Sequence, residues 1–400
     1  MIDLFRDESL TLPRPRVLIL GASTRAAACS ALRAGFEPVC VDQFADADLQ
    51  EMAEVHSVDS LSVTRGATSN SLLSTIQELA ELPIIYAGGM ENQPGLIQLL
   101  ETDRTIWGST RETIERVRDP QGLAGGLAEV KQRVLSVKTA ADPPLSDGTW
   151  MIKPLASAGG RGIHIWDNST TELALQGAHY FQQRVLGQIY SALFLAETDP
   201  GDVRFIGLTR QLVGCPELHA RPFAWCGNIG PVFLPVEAEF LVRRWGNILK
   251  WKFGLTGLYG VDFIVDEAGQ PWLVEVNPRL TGSVEILELA CGLSLLADHI
   301  ACYDYHAAAR EFAAPPVLAE DERLGRAILY APHRLRSKIP LPESVQWEAA
   351  PAIADIPEFG TIIECGQPVC SVYAWGFDEA DVTAKLFEAA ARIETLLEDL

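Results

Sequence analysis

GLYGVDFIVDEAGQPWLVEVNPR, residues 257–279, reads as two strands around a tight turn. From Leu258 to Val265 the chain alternates: Asp262 shares a face with Leu258, Gly260 and Ile264, while Tyr259, Val261, Phe263 and Val265 point the other way. From Trp272 to Arg279 a second strand puts Glu275, Asn277 and Arg279 on one face and Trp272, Val274 and Val276 on the other. Asp266-Glu267-Ala268-Gly269-Gln270 supplies the acid and glycine that a hairpin loop uses. A symmetric turn centred between Ala268 and Gly269 pairs Asp262 with Glu275. Directly opposed residues hold their Cβ atoms about 4.5–5.5 Å apart, and like charges there are destabilising. Two such carboxylates among apolar neighbours repel or take up a proton, unless a divalent cation lies between them. Mg²⁺ prefers oxygen ligands and is held by one or two carboxylates plus substrate phosphates. Asn277 adds an amide oxygen on the same face and Arg279 a fixed positive fork. The competing interpretation, an edge hairpin with solvated acids, fits poorly with the apolar faces on both sides and with Asn-Pro-Arg after the second acid.

The chain is 400 residues long, which suits two or three domains, and its composition is globular, 48% hydrophobic and 21% charged. A formal net charge of −21 argues against general binding to nucleic acid or an anionic membrane. None of the eight cysteines forms a CxxC or a Cys/His zinc spacing, and most sit in apolar runs, so a reducing cytoplasm is the expected compartment. MIDLFRDESL at the start is acidic and has no signal-peptide pattern. No apolar run approaches the roughly 20 residues of a membrane span.

In chain order, residues 16–42 predict strand, helix and strand, the opening of a doubly wound unit. GASTRA keeps only Gly21 of a dinucleotide fingerprint, although Asp42 ends the second strand where a ribose-binding acid would stand. Residues 82–100 repeat the plan, with Glu91 and Asn92 at a helix start where an acid is favoured as a cap. Helices follow over much of 105–147. A helix is expected at 171–180, strands at 191–196 and 203–213, and an aromatic, loop-rich pocket wall at 218–236. Further helices are expected at 237–253 and 283–303, the second with Glu285 and Glu288 on a solvated face. Pro315-Pro316 marks a linker, strands follow at 325–330, 360–364 and 368–375, and a terminal helix spans 379–400.

A second chemical element lies at 149–167, where a strand carrying Lys153 runs into Ser157-Ala158-Gly159-Gly160-Arg161-Gly162 and then another strand. No helix follows, so this is neither a P-loop nor a Rossmann turn. A glycine-rich loop between strands makes a flap whose bare amides close over phosphates, with Lys153 and Arg161 neutralising charge.

Lys153 with SAGGRG, the hinge-like QQRVLG, and DFxV followed by EVNPR together resemble the ATP-grasp superfamily, and most of all its biotin-carboxylase-related, carboligase-like branch. The resemblance implies a mixed α/β and α+β fold in three units: a Rossmann-like pre-ATP-grasp domain (1–104), a central ATP-grasp domain (105–308) and a small C-terminal α+β domain (309–400). It implies ATP and Mg²⁺. Lys153 would touch phosphate and adenine, Ser157, Gly159, Gly160, Arg161 and Gly162 would form the phosphate flap, and Gln183 and Val185 would read adenine through the hinge backbone. Asp262, Glu275 and Asn277 would hold Mg²⁺, and Arg279 would steady the transferred phosphoryl group. Two departures stand out. The family's Asp-Lys pair is replaced by Arg118-Asp119-Pro120, leaving the lysine's role to Arg118 or to nothing, and Gln183 stands where an acid is common. The activity implied is an ADP-forming carboxylate–amine ligase acting through an acyl phosphate, on an amino acid such as glutamate and an amine in cofactor synthesis. Its partners would be ATP and small substrates, with no nucleic acid or membrane, and a homodimer is the base-rate expectation. The alternatives are a non-catalytic ATP-binding sensor or scaffold, and a carboxylase-like enzyme.

Overall fold

The structure is a computed structural model and describes residues 14–61, 72–79, 81–172, 178–198, 202–308, 314–319 and 321–400. The acidic N-terminal decapeptide and the expected boundary at 309 lie outside those residues.

The first layer is a parallel sheet in the order β3-β2-β1-β4, from β1 (Arg16–Gly21), β2 (Glu37–Asp42), β3 (Glu54–Ser57) and β4 (Ile84–Tyr86). The helices α1 (Arg25–Arg33), α2 (Ala47–Gln50), α3 (Leu72–Glu78) and α4 (Pro94–Asp103) accompany it. Parallel strands buried on both faces need near-continuous apolar runs, and Val17, Leu18, Ile19 and Leu20 are all fully buried. Asp42 is buried, 1% exposed. Its carboxylate accepts from Thr24 N at 2.6 Å, Thr24 Oγ1 at 2.8 Å, Phe44 N at 2.7 Å and Ala45 N at 2.8 Å, so it is spent on closing its own loop.

The helices α5 (Arg111–Arg118) and α6 (Pro120–Glu129) lead to an antiparallel sheet, ordered β5-β8-β6-β7. Its strands are β5 (Val137–Thr139), β6 (Asp147–Pro154), β7 (His164–Asp167) and β8 (His179–Gln183). The helix expected at 171–180 is therefore corrected at its end, because His179 onward pairs with β6; residues 173–177 lie outside the described residues.

An eight-stranded antiparallel sheet carries the rest. It takes in β9 (Gln188–Ala196), β10 (Val203–Val213), β11 (Trp225–Val232), β12 (Gly257–Val265), β13 (Pro271–Asn277), β14 (Arg323–Tyr330), β16 (Ile353–Ala354) and β18 (Pro368–Gly376), in the order β13-β12-β9-β10-β11-β14-β18-β16. The helix α7 (Val236–Phe253) covers one face through Val242, Trp245, Leu249 and Phe253. On the other side lie α8 (Gly282–Cys291) and α9 (Leu295–Ala301), followed by α10 (Tyr305–Ala308). A three-stranded sheet of β15 (Leu335–Ser337), β17 (Ile362–Ile363) and β19 (Leu397–Asp399), with α11 (Glu379–Glu394), closes the chain.

Four expectations are corrected. Residues 225–232 are a central strand, not loop: Gly227 is required there because a Cβ would stand 2.1 Å from the Arg326 carbonyl oxygen of the neighbouring strand. The 283–303 helix is two, broken at Gly292 with φ +64°. The terminal helix stops at Glu394, and 397–399 pairs with β15. β13 ends at Asn277, one residue before Pro278, which has no N–H to give a ladder.

Candidate active site

The hairpin of β12 and β13 pairs Asp262 with Glu275, as the turn symmetry predicts. Immediately inside that pair the register slips, and Phe263 faces Leu273 rather than Val274. This bulge alters the second strand's alternation: Leu273 and Val276, three apart, both reach the core, while Trp272 turns out to meet Asp266 Oδ2 through its Nε1–H at 2.8 Å. Bulges aim side chains near sites. Here the bulge leaves the Val274 carbonyl accepting from Gln182 Nε2 at 3.1 Å.

Asp262 and Glu275 border a cavity of about 430 Å³. Asp262 accepts from Gln211 Nε2 at 2.8 Å and Asn277 Nδ2 at 2.9 Å. Glu275 is ion-paired with Arg118. Burial, together with the like charge of Glu275, pushes the Asp262 carboxyl up to about 6. Burial acts on Glu275 in the same sense, but Arg118 and Lys153 outweigh it and hold that carboxyl below its ordinary value. Lys153, 6% exposed, reaches the same cavity from β6; its Nζ donates to Gln182 Oε1 at 3.0 Å and lies 5.8 Å from the Tyr180 ring centre. Arg279 donates from Nε to Glu91 Oε1 at 2.8 Å, and Glu91 Oε2 accepts from Gly89 N at 2.7 Å. Glu91 is thus both the cap the sequence suggested and the clamp on Arg279.

The glycine-rich loop lines the cavity through Ser157, Gly159 and Gly160. Trp225 N donates to Gly159 O at 3.1 Å. Gly160, at φ +77°, sits so close to the 221–225 segment that a Cβ would be 1.8 Å from Phe223 O. Arg161 and Gly162 are exposed and stand off the cavity wall. At the opposite end Leu135, Val137, Met151, Val185, Leu186 and Leu273 form an apolar slot. Gln183 lines the cavity too, but its N–H is already given to Ser136 O at 2.8 Å.

Among the described residues no group of three or more His, Cys, Asp and Glu is set to hold a metal. Two carboxylates with an amide between two cationic groups fit Mg²⁺ that arrives with phosphates, since that ion is rarely held by an all-protein cage. Asn277 offers its nitrogen to Asp262 and its Oδ1 to Arg279 Nη2 at 3.4 Å, so metal ligation through Oδ1 needs the amide to turn. The site also includes Gln182 and Gln211, which the sequence did not single out. Reading 179–183 as a strand would have turned one of the two adjacent glutamines inward.

Residues 132–283 match the ATP-grasp domain family, so the chain carries an ATP-grasp domain. Over nearly its whole length it is 23% identical to an uncharacterized protein of Methanocaldococcus jannaschii, across 96% of this chain and 94% of that one. The fold is similar to an ADP complex of N5-carboxyaminoimidazole ribonucleotide synthetase (TM-score 0.66, 14% identity, 96% and 98% of the two chains). It is similar also to Campylobacter jejuni biotin carboxylase (0.64, 15%, 92% and 89%). L-amino acid ligase from Bacillus licheniformis aligns comparably (0.63, 14%, 96% and 98%). The mixed α/β and α+β fold with an ATP-grasp domain expected from the motifs is thus the fold observed. No helix among the described residues is long and apolar enough to cross a membrane.

Proposed function

We propose that this protein is an Mg²⁺- and ATP-dependent ligase that joins a carboxylate to an amine through an acyl phosphate. The observation that carries it is the registered Asp262–Glu275 pair, set in one cavity with Lys153, Arg279 and the glycine-rich loop. The apolar slot near Val185 suits an adenine face, and the flap amides with Lys153 suit the phosphates. Asp262, Glu275 and the turned Asn277 amide would hold Mg²⁺, which when bound supplies neutralising charge to the β- and γ-phosphates. Arg279, fixed by Glu91, would bind the oxygens of the transferred phosphoryl group. A carboxylate oxygen attacks the γ-phosphorus and ADP leaves. The amine nitrogen then attacks the acyl carbon, inorganic phosphate leaves and the nitrogen loses its proton. The flap excludes the water that would hydrolyse the intermediate.

Support for an amino acid such as glutamate as the carboxylate, and for a place in cofactor synthesis, comes from motif resemblance. A cytoplasmic homodimer belongs to the same proposal. A non-catalytic nucleotide sensor has one observation in its favour: Pro120 follows Asp119, at the start of α6, where the family's lysine would stand. Release of ADP across a panel of amino acids, each with and without an amine, separates the two. Dependence of ADP release on both partners supports the ligase; nucleotide binding without turnover against any pair supports the sensor.

A further inference from the structure

Resting on that nucleotide-site reading, we propose that Arg118 competes with a metal ion for Glu275 and gives it up in exchange for nucleotide phosphate, so that a divalent cation binds only together with nucleotide.

Arg118 is the last residue of α5, and its guanidinium is largely buried, 14% exposed. One nitrogen, Nη1, pairs with Glu275 Oε1. The other, Nη2, reaches Ser157 O at the root of the flap at 3.3 Å and Asn92 Oδ1 at 3.4 Å. A planar fork with several fixed donors can hold a carboxylate and a carbonyl at once, and the same fork matches phosphate oxygens. The three partners come from β13, from the flap and from the segment before α4, the surfaces that bound the cavity.

Paired with Arg118, Glu275 already has its counter-charge. A bare cation would have to take Glu275 from Arg118 and leave a largely buried guanidinium with the weak acceptors Ser157 O and Asn92 Oδ1 and with the Glu91 charge that already serves Arg279. Leaving a buried charge without its partner is costly. Nucleotide removes that cost, because its phosphate oxygens receive the freed guanidinium while Glu275 turns to the metal. The exchange also frees Ser157, tying cation entry to the flap.

The test uses the full-length protein and Mn²⁺ as a paramagnetic probe, with free Mn²⁺ followed by electron paramagnetic resonance. It compares the unmutated protein, R118M and R118K, each confirmed folded by circular dichroism. Without nucleotide, R118M is expected to bind Mn²⁺ about tenfold or more tightly than the unmutated protein, the scale of one charged hydrogen bond. R118K, which keeps the charge, is expected to stay close to the unmutated protein. With ADP present the order reverses: R118M is expected to bind Mn²⁺–ADP about tenfold more weakly. Equal nucleotide-free Mn²⁺ affinity in R118M and the unmutated protein overturns the exchange. Failure of ADP to support Mn²⁺ binding in the unmutated protein overturns the nucleotide-site reading beneath it instead.

Discussion

Two sets of carboxylates lie within thirty residues of each other and have opposite fates. Asp262 and Glu275 border an open cavity, with donors that a ligand could replace. Glu285 and Glu288, one turn apart on α8, are 2% and 0% exposed and fully enclosed. Glu285 takes Arg25 Nη1 at 2.7 Å, Arg326 Nη1 at 3.1 Å and the Tyr373 hydroxyl at 2.8 Å. Glu288 takes Ser30 Oγ at 2.6 Å, Arg33 Nη2 at 2.6 Å and the Leu295 N–H at 2.7 Å. Asp355 completes the set, accepting Arg25 Nε at 2.9 Å and Arg326 Nη2 at 2.6 Å. Burial alone would raise the Glu285 carboxyl, but the two arginines hold it below its ordinary value. Acids of the same kind, both in apolar surroundings, become mortar when buried arginines, hydroxyls and backbone N–H groups hold both oxygens and a site when the donors around them line a cavity and can be exchanged.

The sharpest way to break this comparison is Glu285→Ala, which leaves Arg25 and Arg326 to share Asp355 as counter-charge. It is expected to destabilise by about 3–5 kcal/mol, measured by urea unfolding, with nucleotide affinity of the surviving folded fraction unchanged. A loss under 1 kcal/mol would show the network to be dispensable. Glu275→Gln is the counterpart in the cavity. Turnover is expected to fall about 10²–10³-fold, the scale of one removed transition-state contact, with stability held. Retained ligation would rule out the metal assignment.

His299 sharpens the contrast from a third side, being buried with neither arginine nor opening. Its Nδ1 accepts from Leu258 N at 2.9 Å and its Nε2–H donates to Trp107 O at 3.0 Å. Burial pushes the imidazolium down from 6.5 to about 4. The unfolded chain therefore takes up a proton before the folded one does, so this contribution to stability is whole above about pH 6.5 and is lost as pH falls toward 4. The loss is of order 3 kcal/mol. Unfolding free energies between pH 7 and 4.5 check it, and a slope unchanged in His299→Gln would refute the assignment. The smallest effect sets the baseline. Gly269 lies at the hairpin tip, φ +76°, with nothing within 4 Å of an added Cβ. Gly269→Ala is expected to cost about 1 kcal/mol of backbone strain in thermal unfolding, with cavity binding unaltered.

Sequence reading found the hairpin because its alternation and turn chemistry are local, and it placed the acid pair correctly on symmetry alone. It missed the bulge, since one extra residue in a strand leaves no mark that alternation can resolve. It misjudged Glu285 and Glu288 because their partners, Arg25 and Arg33, stand about 255–260 positions earlier, and charge spacing on one helix says nothing about what docks against it. Strand β11 was hidden by Gly227, Gly230 and Pro231, residues that mark turns until a neighbouring backbone is known to press on them. Glu91 was visible as a cap, but its hold on Arg279 joins segments 188 positions apart.

The eight-stranded sheet runs without interruption from the Asp262–Glu275 hairpin into the last hundred residues, because β11 hydrogen-bonds directly to β14. Trimming the chain after α10 would leave β11 as a raw margin, its row of amides and carbonyls bared to any other polypeptide. The tail is therefore the selvedge of the catalytic cloth, and a shortened form should be recovered as aggregate rather than as a leaner enzyme.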